Sequence, residues 1–263
     1  MSDLIGRHAR QHAQELSQDE GSEQAKLEML TTRIESILAD YNPSTLHRKS
    51  DPLVFGQLYA AARQPEPDEE NGRVPSATVA ALMAAEVEFY GPLRLSNRQN
   101  GLLAKEYELL GEQLSGVQLY AYAALAYRRG AALYRLNEDE QGQDGCGLQL
   151  ARARTRATPV WWRRSAGQMS YALCGHGYRP SWLLGWVAVQ LVLFTVVGLL
   201  FGGNPSATES VYMTVTGFLN PVGPGDIEHM HAVARPLFAL EAWVGTLSMS
   251  VFFALLVRKW FRM

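Results

Sequence analysis

The residues best placed to do chemistry form one short run near the C-terminal end: Asn220, Pro221, Val222, Gly223, Pro224, Gly225 and Asp226. The run has two glycines, two prolines and no long side chain, so what it can offer is its backbone carbonyls. Carbonyls line up in a row only where alternate residues reach φ values that L-residues avoid, which is what the glycines permit. The prolines stiffen the run and remove two N–H groups. A row of carbonyl oxygens suits one task, replacing the hydration shell of a small cation. Glu241, deep in an apolar stretch, is an expensive carboxylate and therefore a functional candidate. It serves either as a buried partner of Thr214, Thr216 or Arg235 or in direct contact with an ion. Gly245, Ser248 and Phe252 follow it at i+4, i+7 and i+11, a small and polar stripe that faces either a pore or the back of a shorter helix.

Other pairs are weaker. Glu228, His229 and His231 could hold a metal, or could simply line a solvated mouth. His8 with His12, and Cys174 with His176, lack further ligands. No Walker loop, zincin helix or G-x-S-x-G elbow occurs. The expectation is a protein that is not an enzyme, with no cofactor and no resident metal.

The candidate run must be held by what flanks it. Trp182–Gly203 is a stretch of 22 residues without a charge and with one amide, Gln190. At ~1.5 Å per residue it is long enough for a hydrocarbon core of about 30 Å. Gln190 reads as a single amide, which such a span easily tolerates. A second apolar stretch covers 234–257. Between them, Ala207–Leu219 has helical character with Ser206 as a cap, but is too short to cross a bilayer and reads as re-entrant. Arg152, Arg154, Arg156, Arg163, Arg164 and Arg179 precede the first stretch, and Arg258, Lys259 and Arg262 follow the second, whereas 203–232 has no Lys or Arg. The bias places both termini in the cytoplasm. Tryptophans near the span ends suit the membrane interface.

The rest of the chain differs in composition. Residues 1–150 hold 22 Asp/Glu against 14 Lys/Arg, and residues 151–263 hold 4 against 10. The acidic half argues against nucleic acid as a partner, and two cysteines in 263 residues argue against a disulfide scaffold. Helical periodicity runs through Leu27–Leu38, a short helix follows in 52–63, and Val79, Leu82, Met83, Val87 and Tyr90 share a side of a helix starting near Pro75. A helical hairpin covers 101–114 and 117–136. The stretch 137–147 reads as an acidic, glycine-rich linker. The expected organisation is all-α: a cytoplasmic helical domain over 1–147, a basic and aromatic juxtamembrane segment over 148–180, and a two-span pore domain over 181–263, with spans 182–203 and 234–257, pore helix 207–219 and filter 220–226.

The segment 178–263 resembles the pore module of two-transmembrane potassium channels, whose filter reads T-V-G-Y-G-D. Val222, Gly223, Gly225 and Asp226 match it in register, and Tyr212–Thr216 resembles the family's pore helix. The family resemblance implies a homotetramer in the cytoplasmic membrane. It also implies a permeant monovalent cation, K⁺ in the family, and Gly245 where the inner helix of such channels carries a hinge. Pro221 and Pro224 stand where the family has threonine and an aromatic residue, which implies weakened K⁺ selectivity. With no voltage-sensing helix, gating would come from a ligand or protein on the cytoplasmic side. The alternative is a non-conducting membrane-anchored helical scaffold.

Overall fold

The computed structural model describes residues 1–18, 22–41, 52–64, 75–158, 165, 180–201, 207–219 and 234–260. Among these every regular element is a helix, so the fold is all-α. The chain divides into two compact units, Met1–Gly167 and Gln168–Met263.

The first unit has seven described helices: α1 (Ser2–Gln18), α2 (Glu23–Asp40), α3 (Gly56–Ala62), α4 (Ser76–Tyr90), α5 (Asn97–Gly116), α6 (Tyr120–Leu136) and α7 (Glu140–Ala157). Their starts carry local signals. Ser22 caps α2 by accepting from the Ala25 N–H, and Ser96 with Gln99 closes a capping box on α5. Helix α6 has no side-chain cap of its own. Glu23, 98 positions earlier, supplies one: its Oε1 accepts from the Ala121 N–H at 2.6 Å, and its burial pushes the carboxyl pKa up.

Helix α4 is the centre of this unit. Thr78 through Glu88 are all buried, so the one-sided apolar face read from the sequence is replaced by burial all round. Ala80, Ala81, Ala84 and Ala85 make this possible, because their small side chains let α1, α2, α3 and α5 approach α4 closely. The carboxylate of Glu88 ties in the segment before it, accepting from the Val54 N–H at 2.8 Å and the Tyr59 hydroxyl at 2.9 Å.

One expectation about this half is corrected, and one helix is added. Helix α1 precedes the periodicity read from Leu27 onward and has its own apolar face, burying Ile5, Ala9 and His12 completely with Ala13 and Leu16 beside them. The stretch 137–147 is not a linker. Asp139 caps α7 by accepting from the Gly142 N–H at 2.9 Å, and the helix then runs through to Ala157, taking in the first ten residues of the expected juxtamembrane segment. Of the glycines that suggested flexibility, Gly142 acts instead as a notch, as Gly111 does on α5. A Cβ on Gly142 would lie 2.6 Å from the Tyr134 ring, and one on Gly111 2.7 Å from the Tyr127 ring. The glycines thereby let α6 seat its tyrosines against both neighbours.

This yields a pair of substitutions of opposite sign on one helix. Tyr134 is buried and its hydroxyl donates to Glu108 at 3.0 Å, so the ring cannot retreat, and Gly142→Ala should cost about 1–3 kcal/mol. A Cβ on Gly145 meets nothing within 4 Å, so Gly145→Ala should stabilise by about 0.5–1 kcal/mol through helix propensity. Thermal unfolding of the two variants checks the signs.

The second unit has three described helices: α8 (Pro180–Phe201), α9 (Ala207–Leu219) and α10 (Ala234–Trp260). Each packs on the other two.

Candidate functional site

The expected filter, Asn220, Pro221, Val222, Gly223, Pro224, Gly225 and Asp226, lies outside the described residues, as do Glu228, His229, His231, Cys174 and His176. Glu241 falls on α10, with its side chain outside the description. The structure does place the helices that flank the run. Helix α9 ends at Leu219, immediately before Asn220, and α10 begins at Ala234.

The three helices are arranged inside out. Gln190 on α8, Thr214 on α9 and Ser248 on α10 are buried, at 7%, 0% and 9% exposure, with Phe218 and Gly245 beside them. Large apolar side chains face outward instead: Trp186, Val192 and Leu200 on α8, and Trp243, Leu247 and Phe253 on α10, with Leu200 and Trp243 each 73% exposed. In water such a face would forfeit about 25 cal/mol for each Å² left uncovered, so it requires an apolar cover. Among the described residues no helix is long and apolar enough to cross a membrane. The described side chains of α8 run unbroken only over 185–197.

Polar groups inside this unit are handled locally. Ser248 Oγ donates to Gln190 Oε1 at 3.3 Å. Gln190, read from the sequence only as a tolerated amide, thus pins α8 to α10. The hydroxyls of Thr195, Thr216, Thr246 and Ser250 each donate to the carbonyl four residues earlier, at 2.7–2.8 Å, a local way of satisfying a hydroxyl without water. Thr214 is the exception: its hydroxyl is buried with no partner.

Of the two faces open to the Gly245–Ser248 stripe, both described members turn inward. A Cβ on Gly245 would sit 2.8 Å from the Phe218 ring and 3.0 Å from the Phe218 carbonyl oxygen. The absence of a side chain there is what lets the end of α9 press against α10. Phe252 is half-buried and lies edge-on to Phe253. Gly245→Ala should force α9 and α10 apart at Phe218 and cost about 1–3 kcal/mol. Gln190→Leu and Ser248→Ala should show a coupling of about 0.5–2 kcal/mol in a double-mutant cycle. Unfolding in detergent measures both.

The first unit contains polar constellations that the sequence did not announce. Glu86 on α4 is buried and accepts from Tyr107 at 3.0 Å and from Arg129 Nε at 3.1 Å, while the Arg129 guanidinium also lies over the rings of Phe89 and Tyr90. Burial and the Glu86 charge push the Tyr107 hydroxyl well above its ordinary pKa. This ion pair floors a groove of about 650 Å³ running along α2, walled by Leu27, Ile34, Leu38 and Leu125, a volume within the range of small-molecule sites. His12 accepts or donates a hydrogen bond at 2.9 Å with the Tyr122 hydroxyl; its other ring nitrogen is buried without a partner. His8 is half-buried and joins no cluster, and no group of three metal-ligating side chains occurs among the described residues. These constellations join residues 21 to 110 positions apart, so no local motif could have exposed them. Compared with protein families, with curated proteins and with solved structures, the chain matches none.

Proposed function

We propose that this chain is the subunit of a homotetrameric cation channel of the two-transmembrane potassium-channel type. Its C-terminal unit would lie in the cytoplasmic membrane, with both termini on the cytoplasmic side. The observation that carries the reading is the inverted three-helix unit, with Gln190, Thr214 and Ser248 inside and Trp186, Leu200 and Trp243 outside. A lipid bilayer is a cover for such a surface, and the protein-lined interior is where polar side chains are tolerated. Helix α9, 13 residues long, spans only ~20 Å. That suits a re-entrant element delivering Asn220–Asp226 to the middle of an assembly. Rings of carbonyls need several copies, hence the tetramer. The first unit is the regulatory part, with its α2 groove open to a cytoplasmic ligand or protein.

Selectivity is where this chain departs from the family. Val222, Gly223 and Gly225 keep carbonyls for a cation, but Pro221 has no hydroxyl for the innermost site and Pro224 has no ring to brace the loop. A partly hydrated ion should then pass, and discrimination between K⁺ and Na⁺ should fall. Planar-bilayer recording from the purified protein tests the reading, with reversal potentials under bi-ionic K⁺/Na⁺ conditions. Unitary cation currents with a near-zero reversal are expected, and Pro221→Thr with Pro224→Tyr should shift the reversal toward K⁺. A correctly assembled tetramer that stays silent under every condition would favour the non-conducting anchor. A strongly K⁺-selective reversal in the unmodified protein would overturn the selectivity argument alone.

A further inference from the structure

We propose that the groove along α2 is the docking site for an amphipathic helix of a partner protein, one with an apolar face and a basic flank. Residues from Gln24 to Leu38 of α2 line the groove, so at ~1.5 Å per residue it runs for about 20 Å. A volume of about 650 Å³ drawn out over ~20 Å leaves a cross-section of roughly 30 Å². That is a trough one side chain deep, suited to a row of side chains. Its α2 wall presents Leu27, Thr31, Ile34 and Leu38, apolar or short residues spaced four, three and four apart along one face. Tyr90, which also lines the trough, is 52% exposed, so a large aromatic surface is left uncovered.

The walls decide between a helix and an extended segment. Helices α2, α4 and α6 use their backbone N–H and C=O groups internally, so the trough offers no edge to which a strand could pair. A helix brings its backbone hydrogen bonds with it. Its side chains at i, i+3, i+4 and i+7 can seat among Leu27, Ile34, Leu38 and Leu125. The charges then choose the flanks. Glu28 and Glu35 line the α2 side, are exposed, and stand seven residues apart, two turns along one face. Arg128 lines the α6 side and is exposed as well. Among the described residues none of these three side chains makes an ion pair. Glu86 and Arg129 on the floor neutralise each other instead. The complementary occupant carries Lys or Arg seven residues apart on the flank facing α2 and an acid on the flank facing α6. Exposed rim pairs add little affinity and mainly set orientation, so the apolar face supplies most of the binding.

The proposal names the kind of partner for the first unit, and it rests on the regulatory reading of that unit only for what binding does to the second. The test therefore measures binding and not current. The probe is a fluorescein-labelled synthetic helix of about 15 residues, with leucines on one face, lysines on one flank and a glutamate on the other. It is titrated into the full chain in amphipol and followed by fluorescence anisotropy. Saturable binding is expected. A second probe with its flank charges exchanged should bind about threefold to tenfold more weakly, and the triple variant Glu28→Lys, Glu35→Lys, Arg128→Glu should invert that preference. Thr31→Arg, inside the trough, should weaken binding about tenfold or more. Thr32→Arg, exposed on the same helix and outside the trough, adds the same charge and should change it about twofold at most. Both threonine hydroxyls donate to the carbonyl four residues earlier, so the two substitutions remove the same local bond. Circular dichroism checks that each variant keeps its helix content. Absence of saturable binding, equal affinity for the two probes, or equal weakening by the two arginine substitutions would overturn the proposal. Saturable binding of the neutral dye Nile red, blocked by Thr31→Arg while neither peptide binds, would overturn it in favour of a small apolar molecule. A Thr31→Cys disulfide between copies of the chain, again without peptide binding, would overturn it in favour of a second copy. Peptide binding by a protein that conducts no cations would count against the pore reading alone.

Discussion

Arg129→Leu should destabilise the first unit by about 3–5 kcal/mol, one of the two largest effects expected from any single substitution in it. Glu86 is almost completely buried on α4, and its carboxylate is held by Arg129 Nε at 3.1 Å, Arg129 Nη2 at 3.2 Å and the Tyr107 hydroxyl at 3.0 Å. Removing the guanidinium leaves a buried carboxylate with one neutral donor. An uncompensated buried charge is what makes breaking such a pair costly, whatever the net worth of the intact pair. The loss also removes the cation stacked on Phe89 and Tyr90. If this account is right, Glu86→Gln in the Arg129→Leu background should recover a large part of the stability, because the amide carries no charge to strand. Urea unfolding of the single and double variants, followed by the tyrosine-rich first unit's amide exchange, makes the comparison. A double variant no more stable than Arg129→Leu would show that packing on the aromatic rings, and not the stranded charge, sets the cost.

The second large effect is a dependence on pH. His12 is completely buried between α1 and α6, and its pKa is lowered from 6.5 to about 4, chiefly by burial and then by the charge of Arg33. Lys26 lowers it further, and Glu15, 3.9 Å away, works in the opposite direction. The unfolded chain therefore binds a proton on His12 more readily than the folded one. Stability is undiminished above pH 6.5, falls as pH drops through the window from 6.5 to about 4, and levels off below it. The full difference amounts to about 3 kcal/mol. Hydrogen exchange of α1 amides should accelerate progressively from pH 6.5 to 5, after correction for the intrinsic rate. The Glu23 carboxyl, pushed up by burial, can contribute in that interval, so the histidine is isolated by its own substitution. His12→Gln, which cannot become cationic, should flatten the profile. A wild-type profile already flat over that interval would mean that His12 is reached by water and is protonated without cost.

What was legible in the sequence was whatever rests on composition and local pattern. An apolar stretch without charges, a capped helix such as α5 and a short apolar segment between two long ones are recorded in consecutive residues, because a helix is built from contacts four residues apart. The helical character of 207–219 and the all-α class followed from that alone. The same locality misled at 137–147, where three glycines and four acids resemble a linker. The tyrosine that makes one of those glycines useful, Tyr134 against Gly142, belongs to the preceding helix and acts only once α6 and α7 are packed.

Tertiary structure decided what each polar residue is for. Gln190 looks dispensable in a row of apolar residues until Ser248, 58 positions away, is brought to it. Gly245, a hinge position by the resemblance, has a packing role that shows only once the Phe218 ring is found where its side chain would be. Glu86 and Arg129, or His12 and Tyr122, carry no mutual signal along the chain, since their partners are chosen by how α4, α1 and α6 cross. Residue order alone carries the helical character of segments such as 27–38, 101–136 and 207–219, because hydrophobicity and hydrogen bonding along a helix are properties of neighbours. Only the tertiary structure decided which polar groups are paired, which are stranded and which face a recess. A buried charge or hydroxyl is stabilised or penalised by whatever side chain the packing sets a few ångströms away, and that distance is not written in the spacing of residues along the chain.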